Sequence, residues 1–149
     1  PAECSRGTDM QNQTAAADDS RAICLIVEDS QFDQQMMTRV IAKSTGQMRV
    51  QVASTLQAAR LALAESRVAL ILLDNNLPDG LGANFALELA RDAKLSSIPV
   101  ILVSDWPSPF MWEKAASAGV TYVLNKTDFN TRYVNAALQK SRKRKTVSI

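Results

Sequence analysis

Three short apolar runs each stop at a charged residue, and those stops constrain the fold more than any other feature of the chain. Ala22 to Val27 ends in Glu28-Asp29, Val68 to Leu73 ends in Asp74, and Val120 to Leu124 runs on to Lys126. Continuous apolar runs of this length suit strands buried on both faces, as in a parallel sheet covered by helices. In open sheets of that kind, ligands sit outside the carboxyl ends of the strands, where the strand order reverses. Three carboxylates and one ammonium would then converge in one crevice. That is the outline of a divalent-metal and phosphate site.

Between these runs the pattern switches to helical spacing. Phe32, Met36 and Val40, with Met37 and Ile41 alongside, form an i, i+4 stripe after the start signal Asp29-Ser30. Gln47 to Ala53 reads as a second strand, with Val50 and Val52 on one side. Ser54 or Thr55 then caps a helix carrying Leu56, Ala59 and Leu63. Leu81, Phe85 and Leu89 mark a third helix reaching about Lys94. Pro99 opens a fourth strand, Val100 to Val103, at a first position where a missing N–H is tolerated. A fourth helix spans Pro107 to Ala118 and closes at Gly119. Asp128 is predicted to cap the last helix, with Phe129, Tyr133 and Ala137 on its inner side.

Strict βα alternation of this kind, five times over, predicts a single doubly wound α/β domain with helices on both faces of a parallel sheet. Five strands suggest the order 2-1-3-4-5. Strands 1 and 3 are then neighbours, with Glu28, Asp29 and Asp74 above them and Ser104 and Lys126 at the ends of the fourth and fifth strands.

At 149 residues and 46% hydrophobic content, the chain has the size of one domain with one core. Its longest apolar runs are far too short to cross a bilayer, so no membrane insertion is expected. Residues 1–20 are polar and lack both a secretory signal and helical periodicity, and are expected to be disordered. Met10 as a natural start, with residues 1–9 left over from cloning, is one reading of them. Cys4 and Cys24 fit neither a disulfide framework nor a metal-ligand spacing. Cys24 is expected to be a small buried hydrophobe, and a reducing cytoplasm is the simplest compartment.

The net charge of +2 hides an asymmetry, because Lys140, Arg142, Lys143, Arg144 and Lys145 supply five of the 17 basic residues. The rest is 12 basic against 15 acidic. The domain is therefore read as residues 21–141 followed by a basic tail, 142–149. That tail is expected to be a solvated helix end, where cations suit the helix dipole, rather than a nucleic-acid contact. No Gly-rich phosphate loop is present to support nucleotide binding.

The residues resemble the response-regulator receiver family, the phosphoacceptor half of two-component signalling, over residues 21 to 141. The resemblance rests on Val27-Glu28-Asp29-Ser30, on Leu72-Leu73-Asp74-Asn75-Asn76-Leu77-Pro78-Asp79-Gly80, on Pro99 to Ser104, and on Gly119 placed seven before Lys126. It implies a flavodoxin-like (βα)5 fold, whose strand order is the one suggested above, so those two readings are not independent. It also implies that Asp74 accepts a phosphoryl group from a histidine kinase or a histidine phosphotransfer protein. Asp29 and Asp74 would bind Mg²⁺ directly, Glu28 would hold it through water, and the backbone carbonyl of Asn76 would complete the shell. Lys126 would neutralise phosphoryl oxygens, and Ser104 would donate a hydrogen bond to them. The protein would catalyse only its own phosphorylation and dephosphorylation and would not be an enzyme acting on other substrates.

Four positions depart from the family pattern. Val123 stands where an aromatic residue is usual, and Tyr122, one earlier, should point to the opposite face. Thr127 follows Lys126 in place of the usual cis-proline, so that loop either is strained or takes another path. Asp105 replaces a small residue and should repel phosphoryl donors. Trp106 is large for its place, either shielding the acyl phosphate or anchoring the start of the fourth helix.

Two further readings compete with the phosphoacceptor. A degenerate, phosphorylation-independent receiver would act as a protein-interaction module. An aspartate-nucleophile phosphohydrolase is disfavoured, because Asn76 stands where the second acid would be. The expected partners are a kinase or phosphotransfer protein approaching near Phe32, Gln35 and Met36, and a downstream protein on the surface of helix 4, strand 5 and helix 5. Nucleic acid is not an expected partner.

Overall fold

The leucine-rich and β-branched runs form five parallel strands, and their alternating side chains fill two separate cores. The computed structural model describes residues 21–44 and 46–147, with side chains as far as Ser141. The N-terminal segment 1–20, expected to be disordered, lies outside the described residues. The long strands are β1 (Ile23–Val27), β2 (Arg49–Ala53), β3 (Val68–Leu73), β6 (Val100–Ser104) and β7 (Tyr122–Asn125). They pair in the order β2-β1-β3-β6-β7, which is the expected 2-1-3-4-5. A two-residue hairpin, β4 (Asn76–Leu77) with β5 (Gly80–Leu81), stands apart from this sheet.

Among the described residues, five helices cover the sheet on both faces: α1 (Gln31–Ala42), α2 (Leu56–Glu65), α3 (Gly82–Ala90), α4 (Pro109–Ser117) and α5 (Thr131–Val147). Leu25, Val27, Ile71, Leu73 and Leu102 point to one side and pack with Leu56 and Ala59 of α2, Phe85 and Leu89 of α3, and Met111 of α4. Cys24, Ile26, Leu70, Leu72 and Ile101 point to the other, where they meet Met37 and Ile41 of α1 and Val134 and Ala137 of α5. Successive strand residues thus enter opposite cores, as the two-residue period of a strand requires. Cys24 is fully buried, and burial pushes its thiol pKa up, so it behaves as a small hydrophobe.

Helix boundaries follow side-chain capping more closely than apolar periodicity. Ser30 caps α1 by accepting from the Asp33 N–H, and Thr55 caps α2 by accepting from the Ala58 N–H. Helix α3 stops at Ala90, short of the expected Lys94, because the Asp92 carboxylate accepts the Lys94 N–H at 2.8 Å and turns the chain. Helix α4 starts at Pro109 and not at Pro107, since Ser108 caps it by accepting from the Met111 N–H at 3.2 Å. It closes at Gly119, whose φ of +70° lies in the left-handed region that favours glycine.

The last helix begins later than expected as well. Asn130 Oδ1 accepts the Arg132 N–H at 2.9 Å and takes the capping role assigned to Asp128. Helix α5 then continues through most of the segment read as a tail, since Lys and Arg lose little rotamer freedom in a helix. Among the described residues, no helix is long and apolar enough to cross a membrane.

Candidate functional site

Parallel pairing brings the carboxyl ends of β1, β3, β6 and β7 to one edge of the sheet. The Glu28 N–H donates to Ala53 O at 3.0 Å and the Asp74 N–H to Val27 O at 2.9 Å, which locks both residues to the ends of their strands. The Lys126 N–H donates to Ser104 O at 3.0 Å, so the lysine emerges beside the end of β6. Residues 46 to 98 positions apart in the chain are therefore gathered by backbone pairing alone.

Glu28, Asp29 and Asp74 each offer a carboxylate oxygen, and these lie within 4.8 Å of one another. Glu28 is fully buried, Asp74 is nearly so, and Asp29 is exposed at the mouth. The Lys126 ammonium lies 2.7 Å from Glu28 Oε1 and 3.8 Å from Asp74 Oδ2. Asp74 Oδ1 accepts the Asn75 N–H at 2.8 Å, which fixes the carboxylate plane.

Burial raises the proton affinity of both inner acids. Desolvation pushes Glu28 from its ordinary 4.5 up to about 7, against the opposing pull of Lys126. Asp74 also moves up, chiefly through desolvation, with Lys126 again opposing. Burial alone would lower the Lys126 pKa, but hydrogen bonds to Asp33 and Glu28 outweigh it and hold the ammonium above its usual range.

The donor set fits a divalent cation of the hard, oxygen-seeking kind. Glu28 Oε1 is buried and, beyond its ion contact with Lys126, has no hydrogen-bond partner among the described residues. One ammonium thus faces two withdrawn carboxylates, Glu28 and Asp74, and a further cation would offset the charge it leaves uncompensated. Asn76, expected to add its carbonyl, opens β4 two residues after Asp74. Ser104 ends β6 and is buried.

Two carboxylates reach Lys126 that the sequence reading did not place in contact with it. Asp33 Oδ2, in the first turn of α1, lies 2.7 Å from the ammonium. Asp33 is the acidic residue in the first turn of α1, the helix that follows Glu28-Asp29, and that position is the signal that could have found it. Asp105 Oδ2 lies 3.8 Å away and is mostly exposed. Four carboxylates, Glu28, Asp33, Asp74 and Asp105, thus surround one lysine.

The hairpin was also missed. Its Asp79 carboxylate accepts the Leu56 and Gln57 N–H groups at 2.8 and 3.0 Å, tying the loop after Asp74 to the start of α2. Those two hydrogen bonds hold the Asp79 pKa below its usual value.

The departures noted above take definite forms. Val123 faces the core beneath α4, while Tyr122 faces the other core, its ring 5.3 Å from that of Tyr133 in an edge contact. The loop at Lys126-Thr127 contains no cis peptide bond. It is braced instead by Asn125 Oδ1, which accepts from the Thr127 N–H at 3.0 Å and hydroxyl at 2.9 Å. Trp106 is 86% exposed, so it does not anchor α4.

The family model for the response regulator receiver domain matches residues 24–139. The chain is 27% identical over 101 residues to the two-component response regulator ORR8 of Oryza sativa subsp. indica, covering 67% of this chain and 83% of that protein. Among solved structures it is similar to a CheY-like receiver domain protein from Methanospirillum hungatei JF-1, with a TM-score of 0.73 and 19% identity, covering 84% of this chain and 99% of that one. It is also similar to the Mn²⁺-bound form of response regulator Rcp1, with a TM-score of 0.66 and 24% identity, covering 79% of this chain and 90% of that one.

Proposed function

The chain belongs to the response regulator receiver domain family, and on that premise we propose that Asp74 accepts a phosphoryl group from a histidine kinase or a histidine phosphotransfer protein, with Mg²⁺ bound. One observation carries this reading. Asp74 stands at the end of β3 within ion-pair range of Lys126 and within 4.8 Å of two further acids. A carboxylate oxygen of Asp74 attacks phosphorus, and the P–N bond of the donor phosphohistidine breaks. The electron pair stays on the imidazole nitrogen, and an acyl phosphate forms on Asp74. Hydrolysis of that bond returns the carboxylate, so the domain turns over only its own phosphoryl group.

The residues divide the work by charge. Asp29, Asp74, Glu28 and the backbone carbonyl of Asn76 would hold the cation, the first two as its direct ligands. Bound there, Mg²⁺ would cancel the repulsion among the carboxylates and the charge of the incoming group. Lys126 meets phosphoryl oxygens as a compact cation, and Ser104 donates a hydrogen bond to them. The resulting change is read by a protein partner on the surface of α4, β7 and α5. A cleft of about 330 Å³ lies there, lined by Trp112, Ala115, Val123 and Leu124 among others. A reducing cytoplasm suits this role and keeps Cys24 as a thiol.

Incubation with acetyl phosphate and Mg²⁺, followed by intact-mass measurement, tests the reading. The parent should gain one phosphoryl mass, chelating the metal beforehand should prevent that gain, and Asp74→Asn should gain none. An unchanged parent mass would favour a phosphorylation-independent interaction module.

A further inference from the structure

Lys126 is held more tightly by Asp33 than by the group it is proposed to serve. Its ammonium lies 2.7 Å from Asp33 Oδ2 and from Glu28 Oε1 but 3.8 Å from Asp74 Oδ2. Of the two short partners, only Asp33 lies outside the acidic cluster of Glu28, Asp29 and Asp74. The Asp33 contact is a hydrogen bond between two charged groups, both mostly withdrawn from solvent, and such bonds are the strong ones.

Asp33 has no local duty that would explain its carboxylate. It occupies the third position of α1, where an acidic side chain ordinarily turns back to the N–H of the capping residue. Here that N–H, on Ser30, is already taken by Glu28 Oε2 at 3.1 Å. The Asp33 backbone serves the cap by donating to Ser30 Oγ at 3.3 Å, while its side chain reaches 93 residues along the chain to Lys126.

Building on the phosphoacceptor reading, we infer that Asp33 is a latch, a positioning residue that holds the Lys126 ammonium until an incoming phosphoryl group competes for it. The exchange makes and breaks no covalent bond. A phosphoryl group carries more charge and more acceptor oxygens than one carboxylate, so it wins the ammonium once it arrives. The latch slows phosphorylation by keeping Lys126 engaged elsewhere. It also couples the event to α1, whose first turn loses its tie to the end of β7 when Lys126 changes partner.

Asp105 supplies the control. It lies 3.8 Å from the same ammonium and is 65% exposed, so removing it changes the local charge equally without touching the short bond. Phosphorylation of Asp74 by acetyl phosphate would be timed in the parent, Asp33→Asn, Asp33→Glu and Asp105→Asn. Mg²⁺ would be saturating for each, at about 0.15 M salt, where exposed charges are screened. Asp33→Asn should react roughly tenfold faster, the scale of one lost charged hydrogen bond. Asp33→Glu should restore the slow rate, and Asp105→Asn, which removes an exposed and screened charge that repels the donor, should speed the reaction by no more than about twofold.

Equal rates in Asp33→Asn and the parent would overturn the latch. Equal acceleration in Asp33→Asn and Asp105→Asn would assign the effect to net charge and overturn it too. Mass gain in none of the four proteins would instead remove the acceptor reading underneath, a result distinct from gain at equal rates. A double-mutant cycle of Asp33→Asn and Lys126→Met in urea unfolding checks the pair without phosphorylation, and additivity there would also sink the proposal.

Discussion

The carbonyl oxygen of Asp74 sits where a Cβ on Gly82 would have to go. Helix α3 begins hard against Asp74-Asn75: the Gly82 N–H donates to Asn75 O at 2.7 Å and the Ala83 N–H to Asn75 Oδ1 at 3.0 Å. A glycine is needed there for close approach of two backbones. The first turn of α3 and the backbone of Asp74 therefore form one rigid unit.

Gly82→Ala should accordingly destabilise the fold by about 2–3 kcal/mol, through a clash with main chain that no side-chain rotation relieves. Urea unfolding measures this. A loss below about 0.5 kcal/mol, the range of ordinary surface changes, would show that α3 can slide away from Asp74 at little cost.

Stability without metal should depend on pH in an unusual direction. Glu28 is raised from 4.5 to about 7, and Asp74 is raised as well, so the folded state keeps protons that the unfolded chain has released. Unfolding free energy therefore falls as pH climbs through that window. Asp79 and Glu88, whose pKa values are lowered, have their stabilising effect fully in place above their unfolded values and lose it only on acidification. Melting temperature in EDTA should drop between about pH 5 and pH 7, and Mg²⁺ should remove the drop. A flat profile in EDTA would contradict the burial of Glu28.

Lys126→Met should cost more at high pH than at low pH. It leaves the buried Glu28 carboxylate without its cation, a loss of about 3 kcal/mol when the acid is charged. Near pH 5 Glu28 takes up a proton and the penalty shrinks. Unfolding at both pH values, with and without Mg²⁺, gives the comparison, and a pH-independent penalty would mean that the ion pair is not what the lysine stabilises.

Installing the missing aromatic should not be neutral. Val123 is buried at 8% exposure against the core under α4, and Val123→Tyr would overpack that space at a cost of about 1–3 kcal/mol. Tyr122 cannot relieve it, because its ring is committed to Tyr133 on the far side of the sheet and carries the Lys140 ammonium 4.5 Å from its centroid. Urea unfolding again reads the change, and an unaltered midpoint would show spare volume beneath α4.

The sequence by itself determined the architecture. Runs such as Leu70 to Leu73 are apolar at every position, and only a strand covered on both faces can bury all of them, so helices had to lie on both sides of a parallel sheet. It also placed Glu28, Asp29, Asp74, Ser104 and Lys126 at strand ends, because the change from apolar to charged marks where a buried strand must emerge. What it left open was decided by contacts between residues distant in the chain. The sequence reading did not single out Asp33, and Asp105 was read only as an acid that repels phosphoryl donors, until folding set both beside Lys126. The Asp79 tie to α2, the collision space at Gly82 and the choice of Asn130 over Asp128 as a cap are equally invisible to periodicity. Hydrophobic patterning fixes which way an element faces, because burial acts on whole faces at once. Which carboxylate meets which ammonium turns on ångström-scale registry between elements, and only the assembled tertiary structure supplies that.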